Sequence, residues 1–272
     1  MSLEHRRAFE SRSAYLEWVN TLSVSEEEVH AAVARTSREG MQSPFFGQVK
    51  PEEVRIPSQN YRETFLVRGL NARQRAILEL LAEEVGVEQL SRARIYAPEA
   101  ITRLALELRG RCPYFVGSEY AASAEARDRL YPVHIEDLQA LSLRTGTFDV
   151  VLSCDVLEHV PDIPLCLSEM ARILRPGGVM LSTHPFTWID TPTVRARLVE
   201  GQVEHLMEPE YHGNPAAPTG SLVFTVPGWN ILEQCRSAGF AKAEMVMLSS
   251  ESLGLFSGNR PFLLNVLRAR KA

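Results

Sequence analysis

The chain has little cysteine: four residues in 272, at Cys112, Cys154, Cys166 and Cys235, with no C-x-x-C pair. That spacing suits neither a zinc cage nor a secreted disulfide scaffold, so buried free thiols in a reducing cytoplasm are the expectation. Long apolar runs are also absent, and no segment reaches the ~20 residues of a membrane helix. The opening Met1-Ser-Leu-Glu-His-Arg-Arg has no apolar signal core. Neither sign of charge is in large excess. The net value is −5 and the pI is near 5.9, which gives no electrostatic footprint for nucleic acid or an anionic membrane. Small uncharged or cationic substrates remain open. The apolar share of 45% and charged share of 23% are ordinary for a globular protein. The length fits one large domain with an extension, and there is no internal repeat or low-complexity tract.

What is present centres on Phe148-Asp-Val-Val-Leu-Ser-Cys-Asp155-Val-Leu-Glu158-His159-Val-Pro161, followed by Ala171-Arg-Ile-Leu-Arg-Pro-Gly-Gly178. Val150, Val151 and Leu152 leave no polar side, so the first half reads as a strand buried on both faces that delivers Asp155 to its carboxyl end. Open α/β sheets bind ligands at that end. The second half reads as an amphipathic helix with Leu165, Leu167, Met170, Ile173 and Leu174 on its apolar side, stopped by Pro176-Gly177-Gly178. A new strand, Val179 to His184, follows at once.

This strand, helix, strand unit resembles the central part of class I S-adenosylmethionine (SAM)-dependent methyltransferases, where an FDVV…DVLEHV strand and an RxLRPGG turn recur together. The resemblance covers roughly residues 71 to 270. It implies an α/β, Rossmann-like class I methyltransferase fold, with a mainly parallel seven-stranded sheet and an antiparallel last strand. The residues themselves support alternating elements: strands at 93–97, 114–118, 133–135, 243–248 and 262–267, and helices at 99–108, 123–130 and 228–238. Asn71 caps a further helix that runs through Val85 with Ile77, Leu78, Leu80 and Leu81 as its apolar stripe. Residues 1–70 form an N-terminal extension, lid or interface, outside the 71–272 domain. Within it, 8–39 reads as two helices joined near Ser23, and 40–64, with Pro44, Pro51 and Pro57, reads as ordered loop or short extended pieces. An insertion at about 186–221 is long for a loop and rich in His, Trp, Tyr and Pro.

The resemblance places SAM at the strand ends. In the family the loop after the first strand is glycine-rich, whereas here it reads Tyr96-Ala97-Pro98-Glu99-Ala100-Ile101-Thr102, and no glycine lies between Gly86 and Gly110. Small Ala97 and Ala100 would allow close approach, Glu99 would receive the ammonium group, and Arg73 or Arg75 would pair with the carboxylate. Glu119, followed by Tyr120, sits near the spacing at which dinucleotide folds place an acid on the ribose hydroxyls. Asp137 is the adenine candidate, with the Leu138 amide against the ring, and Glu136 is read as a solvent neighbour.

Methyl transfer is an in-line displacement in which the protein chiefly aligns the reactants. Asp155 lies near the methyl donor in the family. Base candidates for an acceptor that must lose a proton are His184, at the end of its strand, and His159, whose role in the family is often structural. Tyr211 and His212 in the insertion would close over an acceptor. No compact spacing supports a metal site at His205, Glu208 and His212. The leading expectation is thus a SAM-dependent methyltransferase acting on a small molecule, in specialised metabolism, without nucleic-acid or membrane partners. Two alternatives stand beside it. One is a fold repurposed for SAM-independent elimination, cyclisation or hydrolysis through Glu99, Asp155 and His184. The other is a silent subunit that pairs through its N-terminal helices, which are also the candidate surface for a homo-oligomer.

Overall fold

In the computed structural model, residues 3–272 are described. They fall into two compact units, Met1–Leu90 with Glu244–Leu267, and Ser91–Ala243 with Arg268–Ala272. The strands of the main sheet are β1 His5–Phe9, β2 Ile95–Ala97, β3 Phe115–Glu119, β4 His134–Ile135, β5 Phe148–Cys154, β6 Leu174–Thr183, β7 Phe240–Ser249 and β8 Leu264–Lys271. The longer helices are α1 Arg12–Val19, α2 Glu26–Glu39, α3 Ala72–Val85, α4 Arg103–Arg111, α5 Ala124–Leu130, α6 Ile163–Ile173 and α7 Ile231–Ser237. The sheet order is β1-β7-β8-β6-β5-β2-β3-β4.

In the first unit, local capping starts the helices. Ser25 and Glu28 form a reciprocal capping box at α2, and Asn71 and Gln74 form another at α3. Residues 40–67 form two short antiparallel pairs, Met41–Ser43 with Gly47–Val49 and Val54–Arg55 with Leu66–Val67. The sheet has eight strands, not seven, because His5–Phe9 pairs antiparallel with Met245–Ser249. That strand has no alternating pattern, since Arg6 and Arg7 are both exposed and only Phe9 is buried. Its state is set by the edge it meets, not by its own residues.

Helix α3 is buried nearly all round, so its polar members need internal partners. Arg75 is 2% exposed. Its guanidinium donates to the carbonyls of Leu253 at 2.8 Å and Gly254 at 2.5 Å, and it lies 5.0 Å from the centre of the Phe65 ring. Burial pushes its pKa down to about 10, so it stays charged at neutral pH. The expectation that Arg75 pairs with a cofactor carboxylate is therefore corrected, because it is buried and both terminal nitrogens of its guanidinium are already directed at backbone carbonyls of its own unit. Arg73, the other arginine considered, pairs with Glu63.

In the second unit, β6, β5, β2, β3 and β4 run parallel in that order. Val150, Val151 and Leu152 are buried as their unbroken apolar run predicts. Helix α6 starts at Asp162, whose carboxylate accepts from the Leu165 amide, and buries Cys166, Leu167, Met170 and Ile173, while Leu165 is exposed and does not belong to the apolar face. Helix α4 begins at Arg103 instead of Glu99 because the Thr102 hydroxyl caps it, accepting from the Ala105 amide at 3.1 Å. The insertion consists of short antiparallel pairings: Thr193–Val194 with Thr225–Val226, Ala196–Val199 with Gln202–His205, and Tyr211–Asn214 with Ala217–Leu222.

Two carboxylates secure the segment that leads from β4 into β5. Glu136 is 6% exposed, not a solvent neighbour; it accepts from the Ser142 amide at 2.8 Å, from the Ser142 hydroxyl at 2.5 Å and from His134 at 2.6 Å. Glu169 accepts from the Leu141 amide at 2.8 Å and pairs with Arg172 at 2.7 Å, which donates to the Leu141 and Leu143 carbonyls. Burial raises the Glu136 carboxyl, but Ser142 and His134 together outweigh it and leave the group below the ordinary range. Arg172 likewise lowers Glu169. Groups with depressed folded pKa values stabilise the fold fully above the unfolded carboxylate pKa of about 4.3 and lose that contribution as pH falls. The urea midpoint is therefore expected to fall between pH ~5 and pH ~3, and to fall less in a Glu136→Gln, Glu169→Gln double variant than in the parent.

Candidate functional site

The β2–β3 strand ends carry the first group of candidate residues. After Ala97 the chain turns through Pro98 and Glu99 to Ala100, and Glu99, Ala97 and Ala100 are all buried. Gly117 in β3 makes this turn fit: a Cβ there would lie 2.6 Å from the Glu99 carbonyl oxygen and 3.1 Å from the Ala100 Cα. Close backbone approach is thus permitted by a glycine on the facing strand and not by one in the loop. Glu119 then fastens the loop, its Oε1 accepting from the amides of Ala100 at 2.8 Å and Ile101 at 3.2 Å. The Thr102 hydroxyl donates to Glu99 Oε2 at 2.5 Å.

Other predicted residues are placed as follows. Tyr96 is 0% exposed, with its hydroxyl 2.8 Å from the Ser118 hydroxyl and its ring against Phe148. Its side chain belongs to the core, so only its backbone is left for a ligand. Tyr120 is 64% exposed. Asp137 is part-exposed and forms an Asx turn, Oδ1 accepting from the Gln139 amide at 2.9 Å, and Leu138 is buried beside it. Asp155 follows β5 in the left-handed region, φ 54°, with its amide donating to the Thr183 carbonyl at 2.8 Å. Aspartate tolerates that region better than most residues.

His184 is 0% exposed. Its Nδ1 lies 3.5 Å from the Ser182 hydroxyl and its ring packs against Phe186, which in turn meets Trp188 and Trp229. The expectation that His184 faces an acceptor is corrected: its side chain is fully buried, with Phe186 against its ring. Tyr211 and His212 alternate along a hairpin strand, Tyr211 being exposed and His212 turned inward.

That inward turn creates a second group. Glu158, in the Leu157–His159 turn, has a fully buried side chain. Its Oε1 lies 3.4 Å from His212 Nδ1 and 3.7 Å from His159 Nε2. The two imidazoles stand edge to face, 5.1 Å between centres. His159 Nδ1 donates to the Leu222 carbonyl at 2.9 Å, and His212 Nε2 lies 3.1 Å from Glu210 Oε1. Burial raises the Glu158 carboxyl, yet His212, His159 and His184 together bring it below the ordinary range. Glu158, with a smaller contribution from Glu210, holds His212 above the usual imidazole range. Sequence reading took His159 and His212 separately and passed over Glu158. The only available signal was an acid inside an otherwise apolar turn after a buried strand.

Residues 101–182 match the family model described as a methyltransferase domain. Over that span the chain is similar to methyltransferase domains. The matched span contains the motifs at 148–178, together with Glu119, Asp137, Asp155, Glu158 and His159, and stops before His184 and the hairpin that carries His212. Among curated relatives, the 2-methyl-6-phytyl-1,4-hydroquinone methyltransferase of Synechocystis sp. is 26% identical over 114 residues, 35% of this chain and 36% of that protein. The ubiquinone biosynthesis O-methyltransferase of Rhizobium rhizogenes is 39% identical over 61 residues, 22% of this chain and 25% of that protein. The chain therefore spans little more than a third of the length of the first of these and a quarter of the second. A SAM-dependent methyltransferase from Mesorhizobium loti aligns over 73% of this chain and 98% of that one, at 18% identity and a TM-score of 0.45.

Proposed function

We propose that this chain is a SAM-dependent methyltransferase acting on a small molecule in specialised biosynthesis. The observation that carries the reading is the division of labour at Glu119. Oε1 fastens the loop after β2, while Oε2 has no hydrogen-bond partner among the described residues and is left to accept from a ligand. Asp137 repeats the pattern, Oδ1 closing its turn and Oδ2 left over. Two carboxylate oxygens of this kind suit the hydroxyl and amino donors of an adenosyl group, and Gly117 with Ala97 and Ala100 keeps the adjoining backbone compact. These residues fit the nucleoside half of SAM.

Bound there, SAM supplies an activated methyl group. The chain's own task is then to hold the nucleoside through Glu119 and Asp137, and to receive the acceptor through polar groups that remain accessible. Glu158, His159 and His212 are assigned to that second task because the His159 and His212 side chains are 16% and 31% exposed, whereas His184 is enclosed. The names of the relatives, a hydroquinone methyltransferase and a ubiquinone biosynthesis O-methyltransferase, support a small biosynthetic acceptor.

A second reading, SAM-independent chemistry on the same fold, is favoured by one observation: the Ala100 and Ile101 amides, in a loop without glycine, are already engaged by Glu119. Calorimetric titration separates the two. The methyltransferase reading expects one equivalent each of SAM and S-adenosylhomocysteine to bind with dissociation constants below about 100 μM, in the usual range for enzyme ligands. Absence of heat from both supports the second reading.

A further inference from the structure

The geometry points to a divalent transition-metal site formed by Glu158 Oε1, His159 Nε2 and His212 Nδ1. These three atoms all lie within 4.8 Å of one another. Ligands about 2.1 Å from one ion, at tetrahedral to octahedral angles, stand roughly 3.0–3.5 Å apart, and the carboxylate oxygen lies 3.4 Å from one nitrogen and 3.7 Å from the other.

The outer partner of His159 determines which of its nitrogens faces inward as a lone pair. A carbonyl oxygen can only accept, so the 2.9 Å contact to Leu222 puts a proton on His159 Nδ1 and leaves Nε2 bare. The His212 ring lies between two carboxylates, Glu210 at 3.1 Å from Nε2 and Glu158 at 3.4 Å from Nδ1, and a metal at Nδ1 requires the ring proton on Nε2, where Glu210 stands to accept from it. Histidine ligands to metals characteristically have such an outer acceptor, a backbone carbonyl or a carboxylate, on the other ring nitrogen. Both forms are present here, one on each ring.

The carboxylate adds an independent reason. Glu158 is 0% exposed, and the groups nearest its carboxylate are the two imidazoles, at 3.4 and 3.7 Å, neither in good hydrogen-bond geometry. A buried acid so weakly partnered is costly unless a cation compensates it. Two imidazole nitrogens and one carboxylate oxygen suit Zn²⁺, Co²⁺ or Fe²⁺ better than Mg²⁺, which demands a shell of oxygens. Three protein ligands leave open positions, as in metal sites that bind water or a substrate oxygen. The part-exposed imidazoles mark the side from which such an oxygen would come. The exposed His205, on the Gln202–His205 strand, is not a member.

Metal binding here is independent of the methyl-transfer reading, and it is tested without SAM. Untagged, chelator-treated protein is titrated with ZnCl₂ by calorimetry and with CoCl₂ by visible absorption, at pH about 8 where free imidazoles are unprotonated; MgCl₂ serves as the control metal. The expected result is one Zn²⁺ or Co²⁺ per chain, with a Co²⁺ ligand-field band and at least tenfold weaker binding in both Glu158→Gln and His212→Ala, a loss of the size that ligand-sphere changes produce. His205→Ala should bind as the parent does. Circular dichroism of the variants confirms the fold, and the hairpin position of His212 makes that variant the safer of the two. No binding by the parent, or parent-like affinity in either Glu158→Gln or His212→Ala, overturns the proposal.

Discussion

Arg75→Ala is expected to destabilise the protein by about 3–5 kcal/mol, the range for removing a large buried group together with its polar partnerships. The loss has two parts. The Leu253 and Gly254 carbonyls, and more weakly that of Phe65 at 3.4 Å, lose their donors, and the space under the Phe65 ring is vacated. Arg75→Met separates them, because a methionine restores most of the volume without the donors. It should lose about 1–3 kcal/mol, the cost of leaving buried carbonyls unpaired. Arg75→Lys is not a conservative change here, since a single ammonium cannot fork across two carbonyls as a guanidinium does. Urea unfolding measures all three. A loss below about 0.5 kcal/mol in Arg75→Ala, the scale of a neutral surface change, would show that the guanidinium is not holding this part of the first unit together.

Glu119→Ala is expected to weaken SAM binding about 100-fold, equivalent to about 2.7 kcal/mol. The alanine removes both functions of the carboxylate, the anchor on the Ala100 and Ile101 amides and the oxygen left for a ligand donor. Glu119→Gln divides them. Its carbonyl oxygen can still accept from both amides, while its NH₂ replaces the second acceptor, so a loss of about tenfold is expected. Glu125→Ala, on the exposed side of α5, serves as a charge control and should bind as the parent does. Calorimetry with SAM provides the comparison. An alanine variant within about twofold of the parent would remove Glu119 from the ligand site.

Some of this was legible in the sequence because local physics decided it. The all-apolar Val150-Val151-Leu152 run has only one economical burial, between sheet neighbours on both sides, and the Asn71 and Ser25 caps mark their helices by side-chain chemistry alone. The missed elements depend on distant partners. His5–Phe9 becomes a strand only because Met245–Ser249 offers it an edge.

The same distinction runs through the site. Glu119 was recognisable as an acid after a parallel strand, but its hold on the loop depends on Gly117 admitting the Glu99 carbonyl, a tertiary fact. Arg75 read as a partner for a cofactor carboxylate because an ordinary amphipathic stripe would leave it accessible, whereas the fold buries both faces of its helix. Glu158 was invisible as a site residue because its partner His212 comes from the insertion, whose hairpin register no local signal specifies.

The central claim is that an adenosyl ligand occupies the ends of β2, β3 and β4. The most direct measurement is a titration of isotope-labelled protein with S-adenosylhomocysteine, followed through the backbone amide resonances. Saturable shifts are expected at Ala100, Ile101, Tyr120 and Leu138. Amides at those four positions that stay unmoved at saturating ligand, or shifts gathered elsewhere in the chain, would contradict it.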